Sequence, residues 1–227
     1  MKKRLFIGYY NYTVWATYIG LILAVIGIYF AVRDRVEPAL YCLMATGFVD
    51  MFDGKIARTK KDRTDSECRF GIQLDSLSDL VCFGVLPAVI CSRIWLNGDR
   101  EVIPFIPMCV IAVYVLTALI RLAYFNVTEE ERQRSTTDKR KSYEGMPVTT
   151  VALIFPFAYA IGMLITLKTT GTGIIFPIIF TAVMGACAFM FIAKIRVHKP
   201  GTLGCVIMGV LGAIEVALLI YVHINVQ

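Results

Sequence analysis

Long apolar stretches alternate with short polar segments along almost the whole chain. A helix needs about 20 residues to cross the apolar core of a bilayer, which is roughly 30 Å thick. Seven stretches reach or approach that length: residues 13–32, 38–57, 75–96, 102–124, 148–168, 173–193 and 203–224. The pattern predicts an all-α polytopic membrane bundle of about seven transmembrane helices, in a single domain over residues 1–227 whose last two helices, within 173–224, are generic.

The second and third stretches reach spanning length only by including acidic residues. Residues 38–49 are free of charge, but they would form only about 18 Å of helix. A full second span must therefore continue through Asp50 and Asp53, and the third must include Asp75 and Asp79 at its start. Both acidic pairs are expected near the same face of the bilayer, between helices 2 and 3.

The composition agrees with a membrane protein and excludes an ordinary soluble domain. Apolar residues make up 57% of the 227 residues and charged residues 18%, with a mean hydropathy of +0.67. A soluble fold of this size needs more polar surface. The 7 cysteines are scattered without a Cys-x-x-Cys pair, which is typical of reduced packing residues.

The basic residues predict the orientation. With a cytoplasmic amino terminus, most of the 23 Lys and Arg residues lie on the cytoplasmic side. The external side then holds Arg33, Arg35, Arg93, Arg100 and Lys168. This asymmetry favours a multi-pass protein of the cytoplasmic membrane with its acidic residues at the cytoplasmic face. The net charge of +6 is explained by topology and anionic membrane lipids, and no aromatic-basic pattern indicates nucleic acid.

Four carboxylates at this depth predict a metal site. Asp50 and Asp53 are three residues apart and Asp75 and Asp79 four apart, so each pair shares a helix face. Two ionised carboxylates about 5 Å apart repel each other by roughly 3 kcal/mol at an effective dielectric constant near 20. A bound cation would relieve this repulsion, and oxygen ligands favour Mg²⁺, Mn²⁺ or Ca²⁺.

The residues around the carboxylates suit a phosphate or pyrophosphate ligand. Gly54 and Gly71 allow a ligand to approach the backbone closely, Ala57 keeps the helix face shallow, and Arg58 offers a guanidinium fork to phosphate oxygens. Charges at a helix end are usually solvated, and lone glycines in membrane helices usually serve packing. The four acidic residues together favour a site.

The segment from Asp50 to Asp79 resembles the signature of the CDP-alcohol phosphotransferase family. It reads Asp50-x-x-Asp53-Gly54-x-x-Ala57-Arg58, then, after a spacer, Gly71-x-x-x-Asp75-x-x-x-Asp79. All eight signature positions are present. The spacer, residues 59–70, has twelve residues where eight or nine are common, and it is expected to be a loop or a helical extension.

Three flanking motifs are most similar to family members that use serine. They are residues 74–87, Leu-Asp-Ser-Leu-Ser-Asp-Leu-Val-Cys-Phe-Gly-Val-Leu-Pro, residues 121–127, Arg-Leu-Ala-Tyr-Phe-Asn-Val, and residues 143–147, Tyr-Glu-Gly-Met-Pro. The resemblance implies transfer of a phosphatidyl group from CDP-diacylglycerol to L-serine, in a homodimer that depends on Mg²⁺ or Mn²⁺.

The resemblance also implies roles for individual residues. Asp50, Asp53, Asp75 and Asp79 would bind the metal, with Asp79 also the general base. The CDP group would lie against Asp53, Gly54, Ala57, Arg58, Gly71 and Asp75. For the acceptor, Arg121 is the main candidate by position, with Asn126 and Lys141 as weaker ones.

Other interpretations remain open. The acceptor could be glycerol 3-phosphate or inositol phosphate, or the donor could be built on archaeol. A cation transporter would place its carboxylates through the depth of the membrane, whereas these four cluster at one face. Residues 129–141 mix charges without apolar periodicity and are expected to form a loop near the site.

Overall fold

The computed structural model describes residues 7–57, 59–60, 62–96, 101–135, 142–168, 174–198 and 202–226. Within these residues, eight α-helices follow one another: α1 (Trp15–Val32), α2 (Val36–Ala57), α3 (Asp65–Asp79), α4 (Leu86–Trp95), α5 (Phe105–Ser135), α6 (Val151–Lys168), α7 (Ile175–Ile192) and α8 (Thr202–Val226). Two short strands, β1 (Ser142–Glu144) and β2 (Arg196–His198), complete the fold. The predicted all-α membrane bundle is confirmed.

Six stretches of the described residues are long and apolar enough to cross a membrane. They are Tyr12–Val32, Asp65–Trp95, Phe105–Arg132, Val148–Thr166, Ile175–Ile192 and Val206–Asn225. The stretch predicted as the second span is helical, as α2, whose 22 residues extend about 33 Å. Because α2 carries Glu37, Asp50 and Asp53, it is not among the six. The protein is a multi-pass membrane protein, and a seventh span through α2 stays a prediction.

The third span begins ahead of its predicted start at residue 75. The helix starts at Asp65 because Thr64 and Glu67 form a capping box, in which each side chain bonds the other's backbone N–H. The Thr-x-x-Glu spacing is a sequence signal for this start. Directly after Asp79 the chain widens into a π-helical segment, Leu80–Val85, before α4 continues the span.

The fourth span runs beyond its predicted end at residue 124. Helix α5 continues to Ser135, so the loop predicted for residues 129–141 is wrong for its first half. Arg132 and Glu129, one turn apart, form an ion pair of 2.6 Å that supports this helical extension. Residues 136–141 lie outside the described part of the chain.

Strands β1 and β2 form a two-stranded antiparallel pair that the sequence analysis missed. Ser142 pairs with His198 and Glu144 with Arg196. Three-residue strands leave too few alternating positions for a recognisable pattern. The pair joins the segment before α6 to the segment after α7.

An aromatic core lies among α5, α6 and α7. The rings of Tyr114, Phe155, Phe180 and Phe191 are almost fully buried, with neighbouring centroids 5.3 to 5.7 Å apart. The Tyr114 hydroxyl donates a 2.5 Å hydrogen bond to the carbonyl oxygen of Phe83 in the π-helical segment. The core therefore holds the segment that directly follows Asp79.

Candidate metal and phosphate site

Helices α2 and α3 bring three of the predicted carboxylates together. One oxygen each from Asp50, Asp75 and Asp79 lies within 4.8 Å of the other two. Asp50 comes from α2, whereas Asp75 and Asp79 occupy successive turns of α3. The three residues are partly buried, which strengthens their mutual repulsion relative to open water.

Asp53 completes the acidic cluster. It lies one turn after Asp50 on α2 and lines the same cavity as the other three carboxylates. The Asp75 carboxyl lies within hydrogen-bonding reach of Asp53. All four predicted acidic residues therefore line one cavity.

The acidic cluster fits a hard divalent cation. Metal–oxygen distances of about 2.0 to 2.6 Å place two ligands of one ion at most roughly 4 to 5 Å apart. The separations within 4.8 Å among Asp50, Asp75 and Asp79 meet this limit. The described residues around the cavity supply carboxylate and hydroxyl oxygens for the ion. The one cysteine among them, Cys82, is hydrogen-bonded to the hydroxyl of Ser78. This donor set favours Mg²⁺, Mn²⁺ or Ca²⁺ over softer metals.

Helix α1 forms one wall of the cavity, which the sequence analysis did not anticipate. Ala16, Thr17 and Gly20 face the carboxylates across the cavity. The backbone carbonyl of Thr17 accepts a 3.4 Å hydrogen bond from Ser78, which precedes Asp79. The small residues at helical spacing near the start of the first span were the available signal.

The four predicted nucleotide contacts outside the acidic cluster are only partly described. Gly54 is exposed on α2, one residue after Asp53, and Gly71 lies one turn before Asp75 on α3. The side chain of Ala57 and the whole of Arg58 lie outside the described residues. A Cβ atom at Gly71 would lie 2.7 Å from Nη2 of Arg63, a residue that the sequence analysis had not selected.

Arg121, the main acceptor candidate, is buried and bonded to backbone. Its exposed fraction is 6%. Its Nε atom donates to the Met146 carbonyl at 3.3 Å and its Nη2 atom to the Gly145 carbonyl at 3.5 Å. Its guanidinium also lies 5.7 Å from the centroid of Phe125. Arg121 thus holds the segment between β1 and α6 against α5.

Gly145 shows why this segment needs a glycine. Its φ angle is +77°, and a Cβ atom would lie 2.7 Å from the carbonyl oxygen of Phe191. Its N–H donates to the carbonyl oxygen of Ile195 at 2.7 Å, and the N–H of Met146 donates to the carbonyl oxygen of Met190 at 3.1 Å. Any side chain here would strain the backbone and separate the segment from α7.

The other two acceptor candidates differ in what the structure describes. Asn126 on α5 accepts a 2.9 Å hydrogen bond from Ser76, the residue that follows Asp75. This bond fastens α5 to α3 at the residue next to Asp75. Lys141 lies outside the described residues.

The fold and the site together identify the class of the protein. Residues 11–220 match the family model of the CDP-alcohol phosphatidyltransferases. Because this match covers almost the whole chain, including every residue of the acidic cluster, the chain belongs to that family.

Within the family, the chain is similar to proteins named CDP-diacylglycerol–serine O-phosphatidyltransferase. It is 36% identical to the one from Saccharomyces cerevisiae over 56% of this chain and 43% of the relative. For Helicobacter pylori strain 26695 the identity is 30% over 60% of this chain and 51% of the relative. For Bacillus subtilis it is 28% over 80% and 85%. The chain therefore spans about half the length of the first two relatives.

Proposed function

We propose that this protein transfers the phosphatidyl group of CDP-diacylglycerol to the hydroxyl of L-serine, which yields phosphatidylserine and CMP. The observation that carries the proposal is the convergence of Asp50, Asp75 and Asp79 within a chain of the CDP-alcohol phosphatidyltransferase family. The names of the similar proteins support serine as the acceptor.

The acidic cluster would hold Mg²⁺ or Mn²⁺ through Asp50, Asp53, Asp75 and Asp79. When bound, such an ion would neutralise the negative charge that develops on the departing CMP. Gly54, Ala57, Arg58 and Gly71 are proposed to bind the cytidine and its phosphates together with Asp53 and Asp75. The glycines would allow close approach of the nucleotide, and Arg58 would donate to phosphate oxygens.

Asp79 is the proposed general base. Its carboxylate would accept the hydroxyl proton of serine as the serine oxygen bonds to the phosphorus that carries diacylglycerol. The bond from this phosphorus to the bridging oxygen breaks, and CMP leaves with that oxygen. Asp79 lines the cavity and directly precedes the π-helical segment that Tyr114 holds. Such a fixed position suits a base that must meet the acceptor in one orientation.

Asn126 is proposed ahead of Arg121 as the main contact for the acceptor serine. Asn126 is bonded to Ser76 beside the acidic cluster, so its amide is well placed for a polar group of serine. Arg121 already donates to two backbone carbonyls, and a role in binding the serine carboxylate would require it to share these donors. Lys141 remains a proposed contact.

The location of the site suits a reaction between a lipid and a water-soluble amino acid. Asp50 and Asp53 lie in the last two turns of α2, and Asp75 and Asp79 lie in the last two turns of α3, so the acidic cluster forms where these two helices end. We infer that the acidic cluster faces the cytoplasm, as the distribution of basic residues indicates, and that the enzyme is a homodimer in the cytoplasmic membrane.

A single assay tests the acceptor. Purified protein is incubated with CDP-diacylglycerol, Mg²⁺ or Mn²⁺, and in parallel L-serine, glycerol 3-phosphate or inositol phosphate, and CMP release is measured. We expect CMP release with serine but not with the other two acceptors. Release should be lost on adding EDTA and should recover with excess Mg²⁺ or Mn²⁺. Release with another acceptor but not with serine would refute the serine assignment and retain the family reaction.

A further inference from the structure

The spacer between Arg58 and Gly71 has a defined structure around Glu67. Besides its part in the capping box of α3, Glu67 accepts a hydrogen bond through Oε1 from Lys60 at 3.1 Å and from Asn11 at 3.3 Å. Through Glu67, these contacts connect the beginning of the spacer, at Lys60, with the start of α3 and with the chain ahead of α1. The spacer is therefore held in a fixed position beside the start of α3.

The segment ahead of α1 makes two more contacts with the spacer. The ring of Tyr9 lies 5.5 Å from that of Phe70, and the hydroxyls of Tyr12 and Thr59 are 3.1 Å apart. This segment is distant in sequence from the signature, which begins almost forty residues later in the chain. Together with Asn11, these residues would resist displacement of the spacer.

Arg63, a described residue of the spacer, lies against the signature residue Gly71. Its Nη2 atom lies 2.7 Å from the position that a Cβ atom of Gly71 would occupy, and its Cζ atom lies 3.9 Å from the same point. The Nη2 atom also donates a long hydrogen bond of 3.4 Å to the carbonyl of Glu67. The guanidinium therefore lies directly on the bare backbone of Gly71, and any side chain at residue 71 would displace it.

The distance from Gly71 to the acidic cluster is one helical turn. Gly71 precedes Asp75 by four residues, about 6 Å along the helix axis, on the same face of α3. Phosphates drawn to a cation at Asp75 would thus lie within reach of the flexible Arg63 side chain. A planar guanidinium fork matches phosphate oxygens better than an ammonium group does.

We propose that Arg63 is a further substrate-binding residue, which donates hydrogen bonds to the nucleotide phosphates of the CDP-activated lipid beside Gly71. This inference rests on the proposed function for its CDP-linked donor, but not on serine as the acceptor. Glu67 and Asn11 act as positioning residues, because they hold the spacer that carries Arg63.

The first experiment measures binding of CDP and of CMP, with Mg²⁺ present, to the purified full chain by isothermal titration calorimetry. Arg63→Gln is expected to weaken both affinities by roughly tenfold or more, the usual effect of losing a charge-assisted hydrogen bond. Arg63→Lys should recover part of the loss. The matched control is Arg69→Gln, which removes an exposed arginine from the first turns of α3 and should change affinity less than about twofold.

Steady-state kinetics separate a binding role from a structural one. Arg63→Gln should raise the KM for CDP-diacylglycerol and leave the KM for serine within about twofold. Its thermal unfolding midpoint should match that of the wild type, because Arg63 is only partly buried and lies in the spacer ahead of α3. A lowered midpoint together with equal increases in both KM values would overturn the binding role.

Gly71→Ala tests whether Arg63 acts at Gly71. In the wild-type background, the new Cβ would displace the guanidinium and weaken CDP binding. In the Arg63→Gln background, the same substitution should weaken CDP binding less than in the wild type, because the loss caused by displacing Arg63 is already present and only the close approach at Gly71 itself remains to be lost. Fully additive losses would show that the two residues act independently, and this would contradict the proposal.

Other outcomes are equally informative. If Arg63→Gln bound CDP as tightly as the wild type, the inference would fail while the proposed function stood. Tighter binding by this variant would mean that the guanidinium occupies the place of the nucleotide, which also overturns the inference. A wild type that bound neither CDP nor CMP would overturn the inference and the proposed function together. Suppose that CMP is released with another acceptor but not with serine, and that Arg63→Gln still binds CDP more weakly. This result would refute the serine assignment and support the inference about Arg63.

Discussion

Small side chains line the cavity where α1, α2 and α3 meet, whereas aromatic rings fill the space where α5, α6 and α7 meet. In the first region, Ala16, Gly20 and Thr46 line the cavity with the carboxylates. In the second, Phe155 and Phe180 stack at 5.3 Å and are fully buried. One region leaves room for a ligand, and the other forms a rigid support.

The difference shows how the bundle divides binding from stability. Four carboxylates around a cavity repel one another and contribute little to folding, so the helices that carry them must be held from elsewhere. The hydrogen bond from Tyr114 to Phe83 links the aromatic core to the segment after Asp79. We therefore expect substitutions in the cavity to change activity, and substitutions in the aromatic core to change stability.

The largest expected effect is that of Asp79→Asn on turnover. Loss of a general base should lower kcat by about 10²- to 10⁴-fold, while CDP binding is largely retained and the unfolding midpoint is not lowered. CMP release and thermal unfolding in detergent measure the two quantities. Asp65→Asn, an exposed acidic residue on the same helix, is the control. Near-normal turnover in Asp79→Asn would show that another group acts as the base.

In the aromatic core, Phe155→Ala should reduce the free energy of unfolding by about 3 to 5 kcal/mol, because it leaves a cavity among tightly packed rings. At temperatures where the variant stays folded, its KM values should resemble those of the wild type. Phe157→Ala is the matched control, since Phe157 is 52% exposed on the same helix. A stable Phe155→Ala variant with lost activity would contradict the division between the two regions.

Gly20 lines the cavity, whereas Gly47 on α2 faces α6, and the pair gives a sharper test. A Cβ at Gly47 would lie 2.5 Å from Cβ of Ala152 on α6, whereas a Cβ at Gly20 would have its nearest neighbour, in Val49, at 4.0 Å. Gly47→Ala should therefore destabilise the protein by about 1 to 3 kcal/mol through overpacking. Gly20→Ala should leave stability unchanged or slightly raised, since alanine favours helix. Equal unfolding midpoints for the two variants would refute this contrast.

The smallest expected effect concerns an ion pair outside both regions. Asp34, between α1 and α2, accepts a 2.8 Å hydrogen bond from Arg93. This bond, and less strongly the Arg93 charge, lowers the pKa of Asp34 although partial burial opposes the shift. Because the folded pKa lies below the unfolded one, the stabilisation is present above the ordinary pKa and is lost as pH falls through the lowered value.

Arg93→Gln should thus cost about 0 to 1 kcal/mol at neutral pH, as exposed ion pairs do. The difference in unfolding midpoint from the wild type should shrink as pH falls below about 4. Asp34→Asn should reproduce the loss at neutral pH. A difference that stays constant down to pH 2 would show that the ion pair is not its cause.

The sequence predicted the membrane bundle and the grouping of acidic residues because both follow from local periodicity. Apolar length predicted seven spans, and six stretches of the described residues are long and apolar enough to cross a membrane. Helical spacing grouped the carboxylates in pairs. The helix start at Thr64 was also readable from its capping box. The extension of α5 was missed because its last turns are polar and rely on pairs such as Arg132 with Glu129, which apolar periodicity does not detect.

The family and the chemistry of the acidic cluster were therefore determined by the sequence alone, since the types and spacing of the residues define them. The tertiary structure decided which groups surround that cluster. It placed α1 as a wall of the cavity, bonded Arg121 to the backbone of residues 145 and 146, and laid Arg63 on Gly71. These contacts join residues on different elements or across a turn, and their geometry depends on how the helices pack, which no local pattern encodes.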